Sequence, residues 1–230
     1  TLNQWPGPVW ERPGRGDHWQ GRVYTSDDGG KTWTLRARYP FIHARPFVAG
    51  DSLYVLGQAS DLTIMRSDDG GETWSEPSQL TDGEKWHQAP CNVHYAHGNV
   101  YLVMEKRTTF DVETWYVGEM APVLMRGDIH DDLTKRENWT FASELSFRDL
   151  IPNVEKDPAI DYFGIPFFEA PYPRGSNQAP GRNMAPIGWL ETNVVRFRDP
   201  DHIWHDPEGK TFHLFMRAHT GMTGYAAMAK

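Results

Sequence analysis

Two stretches decide how this chain folds: Ser26-Asp27-Asp28-Gly29-Gly30-Lys31-Thr32-Trp33 and Ser67-Asp68-Asp69-Gly70-Gly71-Glu72-Thr73-Trp74. They differ only at Lys31 and Glu72, and their tryptophans lie 41 residues apart. A period of ~40–50 residues with a tryptophan landmark is the repeat signature of propeller blades. An alternating apolar run enters each copy, Gly21 to Tyr24 and Leu62 to Met65. The serine and aspartate side chains suit bonding to nearby backbone amides, which holds a tight hairpin turn. Gly30 and Gly71 supply positive φ without a Cβ clash. Trp33 and Trp74 are expected to open the next strand and to bury apolar surface between blades. The Asp-Asp-Gly-Gly run also invites a calcium-loop reading. Such a loop needs further acidic ligands ending in a glutamate at its twelfth position, and neither copy has them. A structural calcium is therefore not indicated.

Outward from these turns, short β-type runs recur and no segment shows sustained helical periodicity. The pattern reads as parts of four blades of four-stranded antiparallel sheet. The first contributes strands near 21–26 and 32–38. The second has strands near 44–49, 52–58, 62–67 and 72–80. The third has strands near 90–95, 99–106, 122–126 and 139–141. Between its outer strands, Gly127 to Asn138 reads as a lengthened, degenerate copy of the turn, with Trp139 in the tryptophan slot. The fourth starts near Glu191, turns at Asp206-Pro207-Glu208-Gly209 and continues from Thr211 to Arg217. Four partial blades predict one incomplete domain over residues 1–230, part of a ring of six or so, because closure protects sheet edges.

The chain has 230 residues, 39 % hydrophobic and 13 % aromatic, enough for one substantial core. A formal net charge of −8 argues against nucleic acid as a partner, which calls for basic stripes. No apolar run has the length of a membrane span, so no membrane partner is expected. Cys91 is the single cysteine, which excludes an internal disulfide and leaves the compartment undecided; a secreted or periplasmic setting is weakly favoured. Asn138-Trp139-Thr140 matches a glycosylation sequon, with chance the preferred explanation.

Two segments interrupt the rhythm, Arg107 to Met120 and Ser146 to Gly188. The second holds seven prolines, together with Tyr162, Phe163, Phe167, Phe168 and Tyr172. Long loops of this kind are usually functional, and blade topology puts both on the face opposite the repeated turns. Inner strands begin at that same face. Their starts read His43-Ala44-Arg45-Pro46, His87-Gln88-Ala89-Pro90 and Leu190-Glu191-Thr192-Asn193. The second strands end there with Gln58, with Glu105 and Arg107, and with Arg217 and His219. Carboxylates and histidines among arginines suit a charged, hydroxyl-rich ligand. Glu191, Glu105, His87 and His43 are the catalytic candidates. Arg45, Gln58, Gln88, Arg107, Asn193, Arg217 and His219 are the substrate-binding candidates. Each has a plainer reading: the histidines suit bonds to loop carbonyls, and Glu105 suits an ion pair with Arg107 or Arg45. Trp86, Trp115, Tyr116 and Trp189 suit sugar stacking or core packing equally. His94, His97, His202 and His205 read as surface residues. The turn spacing of His202, His205 and Asp206 makes zinc unexpected, and no metal or other cofactor is predicted.

The two turns resemble the Asp-box, S-x-D-x-G-x-T-W, of the sialidase-like (BNR-repeat) β-propeller superfamily, over roughly residues 20–230. The resemblance implies an all-β propeller whose substrate site faces away from the boxes. It also implies a carbohydrate-active protein, and an exo-acting glycoside hydrolase on a glycan, one bearing a carboxylate for instance, is the leading expectation. A polysaccharide lyase on uronate-containing glycans and a non-catalytic glycan-binding propeller stay open. In the hydrolase, Glu191 or Glu105 is the general acid or base. In the lyase, His43 or His87 is the base and arginines neutralise the enolate-like charge. Ala44-Arg45-Pro46 departs from the superfamily's Arg-Ile-Pro opening, so sialic acid as the specific substrate does not follow.

Overall fold

A computed structural model of the chain describes residues 2–3, 21–87, 91–110, 116–142, 144–150, 188–219 and 224–230. The protein is all-β. The described residues form antiparallel sheets with a single four-residue helical turn, α1 (Phe147–Leu150). None of their helices is long and apolar enough to cross a membrane. The first sheet holds β1 (Leu2–Asn3), β2 (Gly21–Thr25) and β3 (Thr34–Tyr39) in that order. The second holds β4 (Ile42–Ala49), β5 (Ser52–Gln58), β6 (Leu62–Ser67) and β7 (Ser78–Gln79), also in sequence order. The third is built from β8 (Trp86–His87), β9 (His94–Ala96), β10 (Asn99–Arg107), β11 (Met120–Asp128) and β12 (Trp139–Phe141), with β9 beside β10 and β12 beside β11. The fourth holds β13 (Gly188–Val195), β14 (His213–His219) and β15 (Gly224–Ala229).

The chain divides into two compact units, residues 1–101 with 125–141, and residues 102–124 with 142–230. In the first unit, Val23, Tyr39, Phe41, Ala44, Val55 and Met65 form one buried cluster shared by the first two sheets. Burying each large side chain there contributes ~1.5–3 kcal/mol, more than the ~0.5–1.5 kcal/mol of a typical hydrogen bond. This seam therefore outweighs the turns in holding the sheets. Phe47 lies against Tyr54 at 5.3 Å and meets Trp139 edge-on at 6.3 Å, which joins the second sheet to the third. The Tyr95 hydroxyl adds to that seam by donating to the Val48 carbonyl at 2.9 Å. In the second unit, Val117, Met120 and Leu190 form a buried cluster, and Phe147 meets Trp189 edge-on at 5.5 Å.

Both eight-residue turns close as their sequence demands. The Ser26 hydroxyl accepts the Gly30 N–H at 2.8 Å, and Asp28 accepts the Thr32 N–H at 2.9 Å and its hydroxyl at 2.7 Å. The second copy repeats this through Ser67 and Gly71 at 2.9 Å, and through Asp69 and the Thr73 N–H at 2.9 Å. In each, the indole N–H donates to a glycine carbonyl, Trp33 to Gly30 and Trp74 to Gly71, both at 3.0 Å. Three to four hydrogen bonds hold each aspartate's pKa down at about 2. The lengthened third turn keeps the principle with other atoms: the Trp139 indole donates to the Leu133 carbonyl at 2.9 Å.

The tryptophans do not share one environment. Trp74 packs on the cluster of the first two sheets, and Trp139 is buried against Phe47 of the second. Each thus covers the sheet before its own. Trp33 follows the first strands and is 62 % exposed, so the expected burial fails for it. Other boundaries also shift. The strand expected over 72–80 shortens to Ser78–Gln79, because Pro77 has no N–H to give to a ladder. That expected over 90–95 is seen at His94–Ala96, with Trp86–His87 ahead of it. The fourth sheet opens at Gly188, where a Cβ would meet the Val117 carbonyl oxygen at 2.2 Å. Most of the proline-rich insertion, 151–187, and residues 111–115 of the other lie outside the described residues. In the sequon, the Asn138 amide donates to the Asp132 carbonyl at 2.9 Å, so it already has a structural task.

Candidate functional site

The second and fourth sheets carry the same irregularity. Between β4 and β5, Ile42 pairs with Gln58 and Arg45 with Leu56, so three residue steps oppose two. Between β13 and β14, Leu190 pairs with Arg217 and Asn193 with Phe215. One extra residue sits in each inner strand, a β-bulge. The backbone there turns left-handed, at His43 (φ 51°) and at Glu191 (φ 57°). Such a position ordinarily takes glycine, and an L-residue in it carries ~1–2 kcal/mol of strain. Register therefore equates His43 with Glu191, Ala44 with Thr192 and Gln58 with Arg217. The alignment read from sequence, His43 with Leu190, is off by one.

In the first unit, the structure brings together His43, Gln58 and His87. The Gln58 amide nitrogen lies 2.8 Å from His43 Nδ1, and the two imidazoles meet edge-on with centroids 5.1 Å apart. Both rings are half-buried and Gln58 is buried. Gly57 faces the bulge, where a Cβ would lie 2.4 Å from the Ile42 carbonyl oxygen. Only glycine lets the strands approach that closely. Arg45 is buried too, and donates to the Asn92 carbonyl at 3.4 Å.

In the second unit, Glu191 Oε1 lies 3.3 Å from Arg217 Nη2, with both side chains 40 % exposed. The Asn193 amide donates to the Glu191 carbonyl at 3.1 Å and braces the bulge. Beneath it, Glu105 is fully buried and accepts both the N–H (3.2 Å) and the hydroxyl (3.1 Å) of Thr192. Arg107 donates to one oxygen of buried Glu119, Oε2, from Nη2 at 2.7 Å and from Nε at 2.8 Å, and its guanidinium lies 4.2 Å from the Tyr116 ring and 4.5 Å from that of Phe110. Glu119 and Thr192 escaped the sequence reading. Glu119 stands in an irregular stretch with no periodicity to mark it, and Thr192 gains its role only through the bulge.

The remaining candidates have plainer places. Gln88 and Trp115 lie outside the described residues, as does the side chain of His219, whose backbone pairs with Gly188. Trp86 is buried, donates to Glu84 at 2.8 Å and meets Phe141 edge-on, a core role. His202 and His205 are half-buried, not surface residues. His202 stacks on Phe197 at 4.1 Å, and His205 Nδ1 lies 2.9 Å from the Phe197 carbonyl oxygen. Asp206 holds its own turn through the N–H groups of Glu208, Lys210 and Thr211; the Thr211 side chain first, and these N–H groups after it, bring its pKa down to about 2. Among the described residues, no group of three or more histidine, cysteine or acidic side chains is arranged to hold a metal.

No protein-family model matches the chain, and no curated protein matches it. Among solved structures, it is similar to an α-L-arabinofuranosidase from Lactobacillus brevis, at 12 % identity and a TM-score of 0.42, over 85 % of this chain and 55 % of that one. It is similar to the sialidase NanB from Streptococcus pneumoniae at 14 % identity and a TM-score of 0.40, over 90 % and 24 %. A protein of unknown function from Dyadobacter fermentans gives 14 % and 0.45, over 90 % and 54 %. The chain thus spans about half the length of the arabinofuranosidase and about a quarter of the sialidase.

Proposed function

We propose that this chain is part of a carbohydrate-active enzyme on a sialidase-like β-propeller, a glycoside hydrolase acting at the end of a glycan. The observation that carries the reading is Glu191, an ionisable side chain in a left-handed bulge, half-exposed and held by Arg217. Strain of this kind is kept where the surroundings impose it, and such places cluster at functional sites. Glu191 serves as general acid or base, exchanging a proton with the glycosidic oxygen or with water. Arg217 orients the carboxylate and offers a charge to an anionic substituent on the sugar. Glu105, out of reach of solvent, is a positioning residue: its carboxylate fixes Thr192 and so the peptide that aims Glu191. Side chains alone carry this chemistry, with no cofactor.

A second reading rests on His43. The Gln58 amide donates to Nδ1, so the neutral ring carries its proton on Nε2 and suits the acid of a lyase, giving that proton to the leaving oxygen while His87 beside it takes the proton next to a uronate carboxylate. A panel of aryl glycosides and uronate oligosaccharides separates the readings. Sugar release that falls ~10²-fold or more in Glu191→Gln supports hydrolysis. An unsaturated product lost in His43→Gln supports the lyase. Binding with no turnover on any substrate refutes both.

A further inference from the structure

The second eight-residue turn has a feature that its task as a hairpin does not need. A cavity of about 590 Å³ lies in the first unit, lined by Arg66, Asp68, Asp69, Trp74, Asp132 and Thr134 among others. That volume falls within the ~300–1,000 Å³ of small-molecule sites. Arg66 ties its two sides together, with Nε 2.6 Å from Asp68 and Nη1 3.4 Å from Asp132. The walls are set in advance: Asp68 accepts the Ser52 hydroxyl at 2.6 Å, and Asp132 accepts the Thr134 N–H at 3.1 Å and its hydroxyl at 2.7 Å. In the first repeat, Thr25 stands where Arg66 stands in the second, and its hydroxyl serves Arg36 at 2.7 Å. The arginine is therefore an addition to the shared turn, not a part of it.

Against Arg66 and the nearby Lys135, whose Nζ lies 3.8 Å from Asp132, the three carboxylates still leave this cavity net anionic. It repels uronates and sialates. It offers acceptors to hydroxyl and ammonium donors, and half-buried Trp74 contributes an indole to its wall. Sugars stack their C–H faces on such rings, and ammonium groups are drawn to them. We propose that this cavity is a second glycan-binding site, selective for a sugar bearing a free amine, an unacetylated hexosamine unit. It is independent of the role given to Glu191.

Isothermal titration of the full chain with a glucosamine tetramer tests this, beside the N-acetylated tetramer, a galacturonate tetramer and a tetralysine peptide. The expected result is binding of the glucosamine tetramer, at least ~10-fold tighter than of the other three, and unchanged in Glu191→Gln. Asp68→Asn and Trp74→Ala should each weaken it ~10-fold. Trp74 also packs on the core, so Asp68→Asn, at an exposed side chain, decides the matter if Trp74→Ala does not fold. Equal affinity for the acetylated tetramer or for the peptide overturns the proposal. So does an undiminished affinity in Asp68→Asn, or no binding at all.

Discussion

The second sheet ends in two different ways, and the contrast is instructive. At one end, Ser67 pairs with Leu53 and opens the eight-residue turn; at the other, Ile42 pairs with Gln58 beside the bulge at His43. Both ends need left-handed backbone. The turn places it on Gly70 (φ 74°) and Gly71 (φ 96°), where it costs little, and ties its serine, aspartate, threonine and indole into local hydrogen bonds. The bulge places it on a histidine, and the matching bulge of the fourth sheet on a glutamate. A chain optimised for stability alone puts glycine in both. The turn is built to hold the sheet, whereas under the proposed function the bulge accepts strain to present an ionisable group.

That contrast is broken most severely by exchanging function for shape. Glu191→Gln keeps the size of the side chain and removes its proton chemistry; turnover on the cleaved glycoside should fall ~10²-fold or more. Asp28→Asn, at the matching place in the first turn, should leave turnover per folded molecule unchanged. An equal loss in both, measured on samples matched for folded fraction, would erase the distinction. Next in size is Gly57→Ala. The added Cβ meets backbone at 2.4 Å, so the bulge must shift, with ~1–3 kcal/mol lost in denaturant unfolding. A silent Gly57→Ala would mean that the close approach is not needed.

Acid sharpens the comparison from the side of the turns. Asp28 and Asp69 have pKa values of about 2 when folded, against ~3.9 for a free aspartate. A depressed carboxylate stabilises the fold fully above its unfolded pKa and loses that contribution as pH falls through the folded value. Stability should therefore decline between about pH 4 and pH 2. In the Asp28→Asn, Asp69→Asn double variant that part of the decline should flatten, read from unfolding midpoints across the range. Glu191→Gln should leave the slope as it is.

The turns were legible because they are local. Eight residues, spaced as the motif requires, make their own hydrogen bonds, and the structure only had to supply distances. The four sheets were legible for the same reason, through alternation and turn residues. The bulges were not. An extra residue in a strand leaves a sequence mark only when glycine occupies it, and His43 and Glu191 carry none. The alignment of strand starts was consequently one residue off, although His43 and Glu191 were both among the residues it singled out. Arg107 was legible as a polar strand end but not as the partner of Glu119, because the sequence between them carries no periodic pattern that would relate the two. Trp33 and Trp74 have the same sequence context and different burial, since burial depends on the sheet that each one meets. Within a single motif, local bonding can be read from the chain and packing cannot.

The smallest expected effect is also the most direct test of the claim that the bulges trade stability for function. Glu191→Gly relieves the left-handed strain and gives up only a half-exposed ion pair, worth ~0–1 kcal/mol. Measured by denaturant unfolding, its stability should equal the unaltered chain's or exceed it by up to ~1 kcal/mol. A loss of more than ~1 kcal/mol would show that the glutamate side chain holds the bulge in place, and would contradict the account.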